Sequence, residues 1–74
     1  MPDRWECRYS SCEYMYLEVL ENEVRCYLDH SPKQADVFTF EEVLGGKADA
    51  MVNGVFGDKV LEALKATVGT KAQR

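Results

Sequence analysis

Hydrophobic and polar side chains alternate along the first part of the chain, and this period of two residues predicts β-strands. Two alternating runs, residues 13–20 and 23–30, flank Glu21 and Asn22, which predicts a β-hairpin with a two-residue loop. A shorter run at about residues 4–9 predicts a further strand. One face of this sheet is apolar and should meet the core. It carries Cys7, Met15, Leu17, Val19, Val24, Cys26 and Leu28.

The position of the hairpin loop fixes which residues face each other across the two strands. With the loop at residues 21–22, Glu18 lies opposite Arg25. The same register places Tyr16 opposite Tyr27, and such cross-strand pairs contribute about 0.2–1 kcal/mol each. A loop shifted by one residue would keep the two faces but lose the pair of opposite charges, so we expect the first register.

Beyond residue 39 the apolar residues recur at intervals of three or four, which predicts helices. Thr39 and Glu42 form the pattern of a capping box, so a helix should begin there and cover about residues 40–53. The Gly45–Gly46 pair is compatible either with a kink in this helix or with a break into two short helices. A second helix is predicted over about residues 58–68. The predicted fold is α+β, with a small antiparallel three-stranded sheet packed on one face by two C-terminal helices.

The length of 74 residues predicts a single domain over residues 1–74, with residues 70–74 as a frayed basic tail. No apolar run reaches the roughly 18 residues of a membrane span. The N-terminus also lacks the apolar segment of a signal peptide, so a cytoplasmic location is expected.

Charge is unevenly distributed along this acidic chain, whose formal net charge is −4. Residues 1–44 hold four basic and ten acidic side chains, whereas residues 45–74 hold five basic and three acidic ones. An acidic sheet half disfavours phosphate backbones and favours basic protein surfaces.

Three cysteines and one histidine superficially match the spacing of a zinc site, namely Cys7, Cys12, Cys26 and His30. On one strand, however, Cys26 and His30 would lie about 13 Å apart, at roughly 3.3 Å per residue, which is too far to share one ion. We therefore predict no metal and no other cofactor, and a zinc-stabilised domain is the alternative. A lone histidine without an orienting partner, in a chain too short for a large pocket, also argues against an enzyme.

The segment Gly54-Val55-Phe56-Gly57 joins the two predicted helices and resembles the GXXG loop of K-homology RNA-binding domains. In that family, two helices flank a loop that clamps the nucleic-acid backbone. The resemblance implies a divergent nucleic-acid-binding domain that uses this corner, Lys59 and the basic tail. The alternative is a tight corner between helices, in which Val55 and Phe56 fill the core.

The polar face of the sheet is the remaining candidate for function. Tyrosine gives a large contact area at low entropic cost and is enriched in protein interfaces, although it is also common on solvated strands. We predict a non-enzymatic protein–protein interaction module, a small acidic adaptor or inhibitor, whose partner is a basic protein or a second copy of the chain. The predicted binding residues are Tyr14, Tyr16, Glu18, Arg25, Tyr27 and Asp29.

Overall fold

The computed structural model describes residues 3–31 and 33–73, and its strands precede its helices. The elements are β1 (Arg4–Arg8), β2 (Tyr14–Val19), β3 (Glu23–Leu28), β4 (Asp36–Thr39), α1 (Phe40–Leu44), α2 (Asp49–Val55) and α3 (Asp58–Ala72). The predicted α+β class is confirmed. Pro32, expected to interrupt strand pairing, and Arg74, the last residue of the predicted tail, lie outside the described residues.

The four strands form one antiparallel sheet in chain order, β1-β2-β3-β4. The hairpin of β2 and β3 has the predicted register, with Val19 opposite Val24 and the loop at residues 21–22. The backbone N–H of Leu20 donates to the carbonyl oxygen of Glu23 at 2.8 Å and closes this loop. The sequence alternation therefore assigned every residue of the hairpin to the correct face.

The sheet has four strands where the sequence predicts three. β4 pairs with β3, with Val24 opposite Phe38 and Arg25 opposite Val37. Phe38 therefore turns towards the core, whereas Val37 lies on the other face with 48% of its surface exposed. Four residues give too few alternations to define a strand from sequence. The extended conformation of this segment is instead stabilised by its pairing with β3.

The predicted helix over residues 40–53 is two helices. The capping box at its start is present, since the Thr39 hydroxyl accepts from the Glu42 N–H at 3.1 Å and the Glu42 carboxylate accepts from the Thr39 N–H at 2.9 Å. α1 then ends at Leu44, and Gly46 adopts a φ of +97°, which glycine alone adopts without strain. The break is thus the correct one of the two alternatives left open by the glycines.

A sharp corner connects α2 to α3. Phe56 caps α2, and the next residue, Gly57, caps α3 with a φ of +97° and a ψ of 171°. α3 then continues past Gly69 to Ala72, beyond its predicted end at residue 68. The buried residues of α3 all precede Gly69, and in the turn beyond it the Thr70 hydroxyl donates to the Ala66 carbonyl oxygen at 3.0 Å.

All three helices pack on the same face of the sheet. α1 contacts β3 and β4, α3 contacts β2, and the Cys7 Sγ atom in β1 lies 3.2 Å from the carbonyl oxygen of Val55 at the end of α2. The hydrophobic core between sheet and helices comprises Leu17, Val19, Val24, Cys26, Val43, Ala48, Val52, Leu64 and Val68. In the part of the chain that the structure describes, the opposite face of the sheet carries no helix.

Candidate functional site

The uncovered face of the sheet, which we call the outer face, collects alternate residues from all four strands. Strand pairing arranges them in rows, and the central row places Glu6 beside Tyr16 and Tyr16 beside Tyr27. The next row runs from Arg4 through Glu18 to Arg25 of β3 and Val37 of β4. The outer face comprises Arg4, Glu6, Arg8, Tyr14, Tyr16, Glu18, Glu23, Arg25, Tyr27, Val37 and Thr39.

The structure brings five of the six predicted binding residues together on this face. Asp29, the sixth, follows the last residue of β3 and lies at one end of the face. Its backbone N–H donates to the carbonyl oxygen of Tyr14 at 3.0 Å, which extends the β2–β3 pairing by one residue. The Asp29 carboxylate accepts from the Tyr14 N–H at 3.4 Å.

Two tyrosine rings occupy the middle of the outer face. The centres of the Tyr16 and Tyr27 rings lie 5.5 Å apart, and the ring planes are tilted by 35°. Both side chains are half-buried by their neighbours. An aromatic pair at this separation contributes about 0.5–1.5 kcal/mol beyond the burial of its surface. The two rings therefore form a continuous, preorganised aromatic patch.

Charged groups hold this aromatic patch in place. The guanidinium carbon of Arg4 lies 4.7 Å from the centre of the Tyr16 ring, within the range of a cation–π interaction. The Tyr27 hydroxyl donates a hydrogen bond to the Glu18 carboxylate, and the Nε atom of Arg4 lies 3.9 Å from the same carboxylate. The hydrogen bond to Glu18 is the largest of the causes that raise the pKa of the Tyr27 hydroxyl above its ordinary value.

The predicted facing of Glu18 and Arg25 is confirmed, but their charges pair elsewhere. The Arg25 Nε atom lies 3.2 Å from the Glu23 carboxylate on its own strand, while Glu18 interacts with Arg4 and Tyr27. Arg4 of β1 thus competes with Arg25 for Glu18. The Glu18–Arg25 pair was inferred from the β2–β3 hairpin, which does not include β1.

Sequence reasoning did not include β1 and β4 in the candidate site. Arg4, Glu6 and Arg8 extend the outer face on one side, and the guanidinium of Arg8 lies 5.9 Å from the centre of the Tyr14 ring. The alternation in β1 is a signal that could have found them. With three arginines and four carboxylates, Asp29 included, the outer face has mixed charge and is less acidic than its hairpin alone suggests.

The three cysteines lie in different surroundings. Cys26 is buried in the core, where desolvation and then the nearby Asp36 charge raise its pKa to about 11. Cys12 is exposed, and the Nε2 atom of His30 lies 3.0 Å from the Cys12 carbonyl oxygen. Within residues 3–31 and 33–73, no three His, Cys, Asp or Glu side chains are arranged to hold a metal ion.

Chelation should therefore leave the fold unchanged. We expect the melting temperature in excess chelator to match that of the untreated protein, because no three potential ligand side chains among the described residues are arranged to hold an ion. Thermal unfolding followed by circular dichroism, together with elemental analysis of the purified protein, measures this. Stoichiometric zinc and unfolding on chelation would contradict the expectation and favour the zinc-stabilised alternative.

Gly54 and Val55 of the Gly54–Gly57 segment are the last residues of α2, which extends past its predicted end at residue 53, so only Phe56 and Gly57 join the two helices. The two inner residues of the segment, Val55 and Phe56, are half-buried, and Phe56 packs against the core. Lys59 lies in the first turn of α3 with its side chain exposed. This packing corresponds to the alternative interpretation of the segment as a tight corner between helices.

The chain matches no protein-family model, no curated protein and no solved structure. Among the residues that the structure describes, none of the helices combines the length and apolar character needed to cross a membrane. The geometry of the outer face is therefore the basis for a functional assignment.

Proposed function

We propose that this protein is a non-enzymatic interaction module that binds another protein through the outer face. The observation that carries the proposal is the preorganised Tyr16–Tyr27 pair at the centre of a sheet face on which no helix of the described residues packs. A sheet with one face on the core and one face open presents a broad, rigid surface. Aromatic residues at the centre of such a surface dominate many protein interfaces.

The fixed position of both rings favours binding. Arg4 stacks on Tyr16, and Glu18 accepts from the Tyr27 hydroxyl, so each ring has a defined orientation before a partner arrives. Side chains that are already ordered lose less entropy on association, which leaves more of the contact energy as affinity. The same contacts also keep the polar groups around the rings satisfied.

The mixed charge of the outer face narrows the chemistry of the partner. Arginines and carboxylates alternate around the two rings, so a partner with both signs of charge and an apolar centre complements the face better than a uniformly basic one. Val37 and Tyr14, which are 48% and 39% exposed, enlarge the apolar area that such a partner would cover.

A small cavity beside β1 supports the non-enzymatic part of the proposal. It measures about 190 Å³ and is lined by Arg4, Trp5 and Glu6. Pockets that bind small-molecule substrates typically measure about 300–1,000 Å³.

Affinity purification from the native host tests the proposed function. The tagged protein should recover a partner protein at near-stoichiometric yield, and nuclease treatment should leave that yield unchanged. The matched bait carries Tyr16→Ser and Tyr27→Ser and should lose the same partner while staying folded. Recovery of nuclease-sensitive RNA by both baits would contradict the proposal and favour binding at the Gly54–Gly57 corner.

A further inference from the structure

β1 is an edge strand whose free side offers backbone hydrogen-bonding groups. The Val19 N–H donates to the Asp3 carbonyl oxygen at 2.8 Å, and the Tyr9 N–H donates to the Glu13 carbonyl oxygen at 2.9 Å. Both pairs belong to the β1–β2 register, and hydrogen-bonded pairs alternate along an antiparallel ladder. The odd-numbered residues of β1 therefore bond to β2.

The even-numbered residues of β1 consequently direct their backbone N–H and C=O groups away from the sheet. These residues are Arg4, Glu6 and Arg8, and none of them has a backbone partner on that side among the residues that the structure describes. An unpaired edge of this kind is a template for pairing with another strand.

The charges along this edge determine which second strand it accepts. An antiparallel copy of β1 centred on Glu6 would place Glu6 opposite Glu6 of the copy and Arg4 opposite Arg8 of the copy, and like charges would repel. A copy centred on Trp5 places Arg4 opposite Glu6 of the copy, and Glu6 opposite Arg4 of the copy. This register forms two pairs of opposite charge.

A third register, centred on Cys7, also forms two pairs of opposite charge, between Glu6 of each copy and Arg8 of the other, and the Arg8→Glu variant described below distinguishes it from the register centred on Trp5. The register centred on Cys7 would place Ser10 opposite Arg4 of the copy, although β1 ends at Arg8. The Ser10 N–H already donates to the Glu13 carbonyl oxygen at 3.2 Å within the turn that follows. The register centred on Trp5 likewise forms both of its charge pairs within β1, but through Arg4 instead of Arg8.

Two further observations concern the residues that pair in the register centred on Trp5. Glu6 is exposed, and within residues 3–31 and 33–73 its carboxylate has no ion-pair or hydrogen-bond partner, so Arg4 of a copy would supply one. The cavity of about 190 Å³ on this edge is lined by Arg4, Trp5 and Glu6, the three residues at the centre of that register.

We propose that two copies of this chain pair antiparallel through β1, with Trp5 of each copy facing the other across a two-fold axis. The two four-stranded sheets then join into one sheet of eight strands. Arg4 of each copy forms an ion pair with Glu6 of the other on the outer face of the joined sheet. Four backbone hydrogen bonds connect the two β1 strands. Arg4 and Glu6 belong both to this edge and to the outer face, and Arg4 also stacks on Tyr16, so the dimer and the proposed partner binding share these two residues.

Charge reversal combined with sedimentation velocity tests the pairing. The wild-type protein should change from monomer to dimer as its concentration rises from about 10 μM to about 1 mM, a range suited to an interface of this small size. Arg4→Glu and Glu6→Arg, each alone, should weaken the dimer about 10-fold or more because like charges then face each other. An equimolar mixture of the two variants should dimerise again, because each variant supplies the charges that the other lacks.

Two controls separate this pairing from other modes. Arg8→Glu should leave the dimer intact, since Arg8 has no charged residue opposite it in the register centred on Trp5. Glu6→Pro should abolish the dimer without unfolding the monomer, because the N–H that proline removes points away from β2. The single tryptophan of the chain, Trp5, should also shift its fluorescence emission on dilution of the wild type but not of Glu6→Pro.

Three results would overturn the proposal. The first is a wild-type protein that stays monomeric over the whole concentration range. The second is a dimer that resists Glu6→Pro or whose single charge variants fail to recover on mixing. The third is a dimer that is lost with Tyr16→Ser and Tyr27→Ser but retained with Glu6→Pro, since the two copies would then meet through the outer face.

Discussion

Replacing Phe56 with Asp should lower the free energy of unfolding by about 2–3 kcal/mol. The Phe56 ring packs against the hydrophobic core at the corner between α2 and α3, and a carboxylate at the same position would lose that contact and require hydration. Chemical denaturation followed by circular dichroism measures the change. The midpoint should shift with little change in slope, as in a destabilised but still cooperative domain.

Phe56→Leu is the matched control for this experiment. It keeps an apolar side chain in contact with the core and should cost about 1 kcal/mol or less. If Phe56→Asp were as stable as wild type, the ring would contribute no core contact. The Gly54–Gly57 segment would then be an accessible loop, and the nucleic-acid-binding alternative would gain weight.

Changing both Tyr16 and Tyr27 to Ser should weaken partner binding by about 2 kcal/mol or more, roughly 30-fold in Kd. The two rings form the centre of the outer face, 5.5 Å apart, and truncation removes most of its aromatic surface. Stability should fall by about 2–3 kcal/mol, the sum of the lost ring contact and a lower strand propensity at two positions, which leaves the double variant folded if the core is intact. Titration calorimetry with the purified partner and thermal unfolding measure the two effects separately.

Tyr9→Ser is the matched control for the tyrosine pair. Tyr9 is 53% exposed and follows the end of β1, outside the outer face, so its loss should leave partner affinity unchanged. Global unfolding of the double variant would show that the outer face belongs to the core. Unchanged affinity in a folded double variant would place the binding site elsewhere on the protein.

Salt dependence of the same interaction reports the charge of the partner. Because arginines and carboxylates both surround the rings, we expect affinity to change little as ionic strength rises. A steep loss of affinity with salt would instead indicate the uniformly basic partner that the acidic hairpin predicts when it is considered alone.

Local patterns predicted the parts of the fold that depend on neighbours in the chain. The two faces of the hairpin follow from a period of two residues, and its register follows from the loop at residues 21–22. The start of α1 follows from Thr39 and Glu42, whose hydrogen bonds are made within one helical turn. These features are decided over a few residues, so the sequence contains the information needed to predict them.

Features decided by distant residues were not predictable in the same way. Whether the Gly45–Gly46 pair kinks or ends a helix depends on what each helix packs against, and α3 continues through Gly69 to Ala72 although the glycine predicted its end. A glycine lowers helix propensity by only about 1 kcal/mol, which tertiary packing readily outweighs.

The sequence by itself determined which residues of the hairpin share the outer face, including the facing pair Tyr16 and Tyr27. Only the tertiary structure decided what surrounds that pair, because strand neighbours come from separate segments of the chain. β1 brings Arg4 onto Tyr16 and towards Glu18, so the ion pair inferred from the hairpin is replaced. The tertiary structure also places β1 at the edge of the sheet, which leaves the backbone groups of Glu6 exposed. The order of strands in a sheet depends on the whole fold and cannot be read from the local pattern.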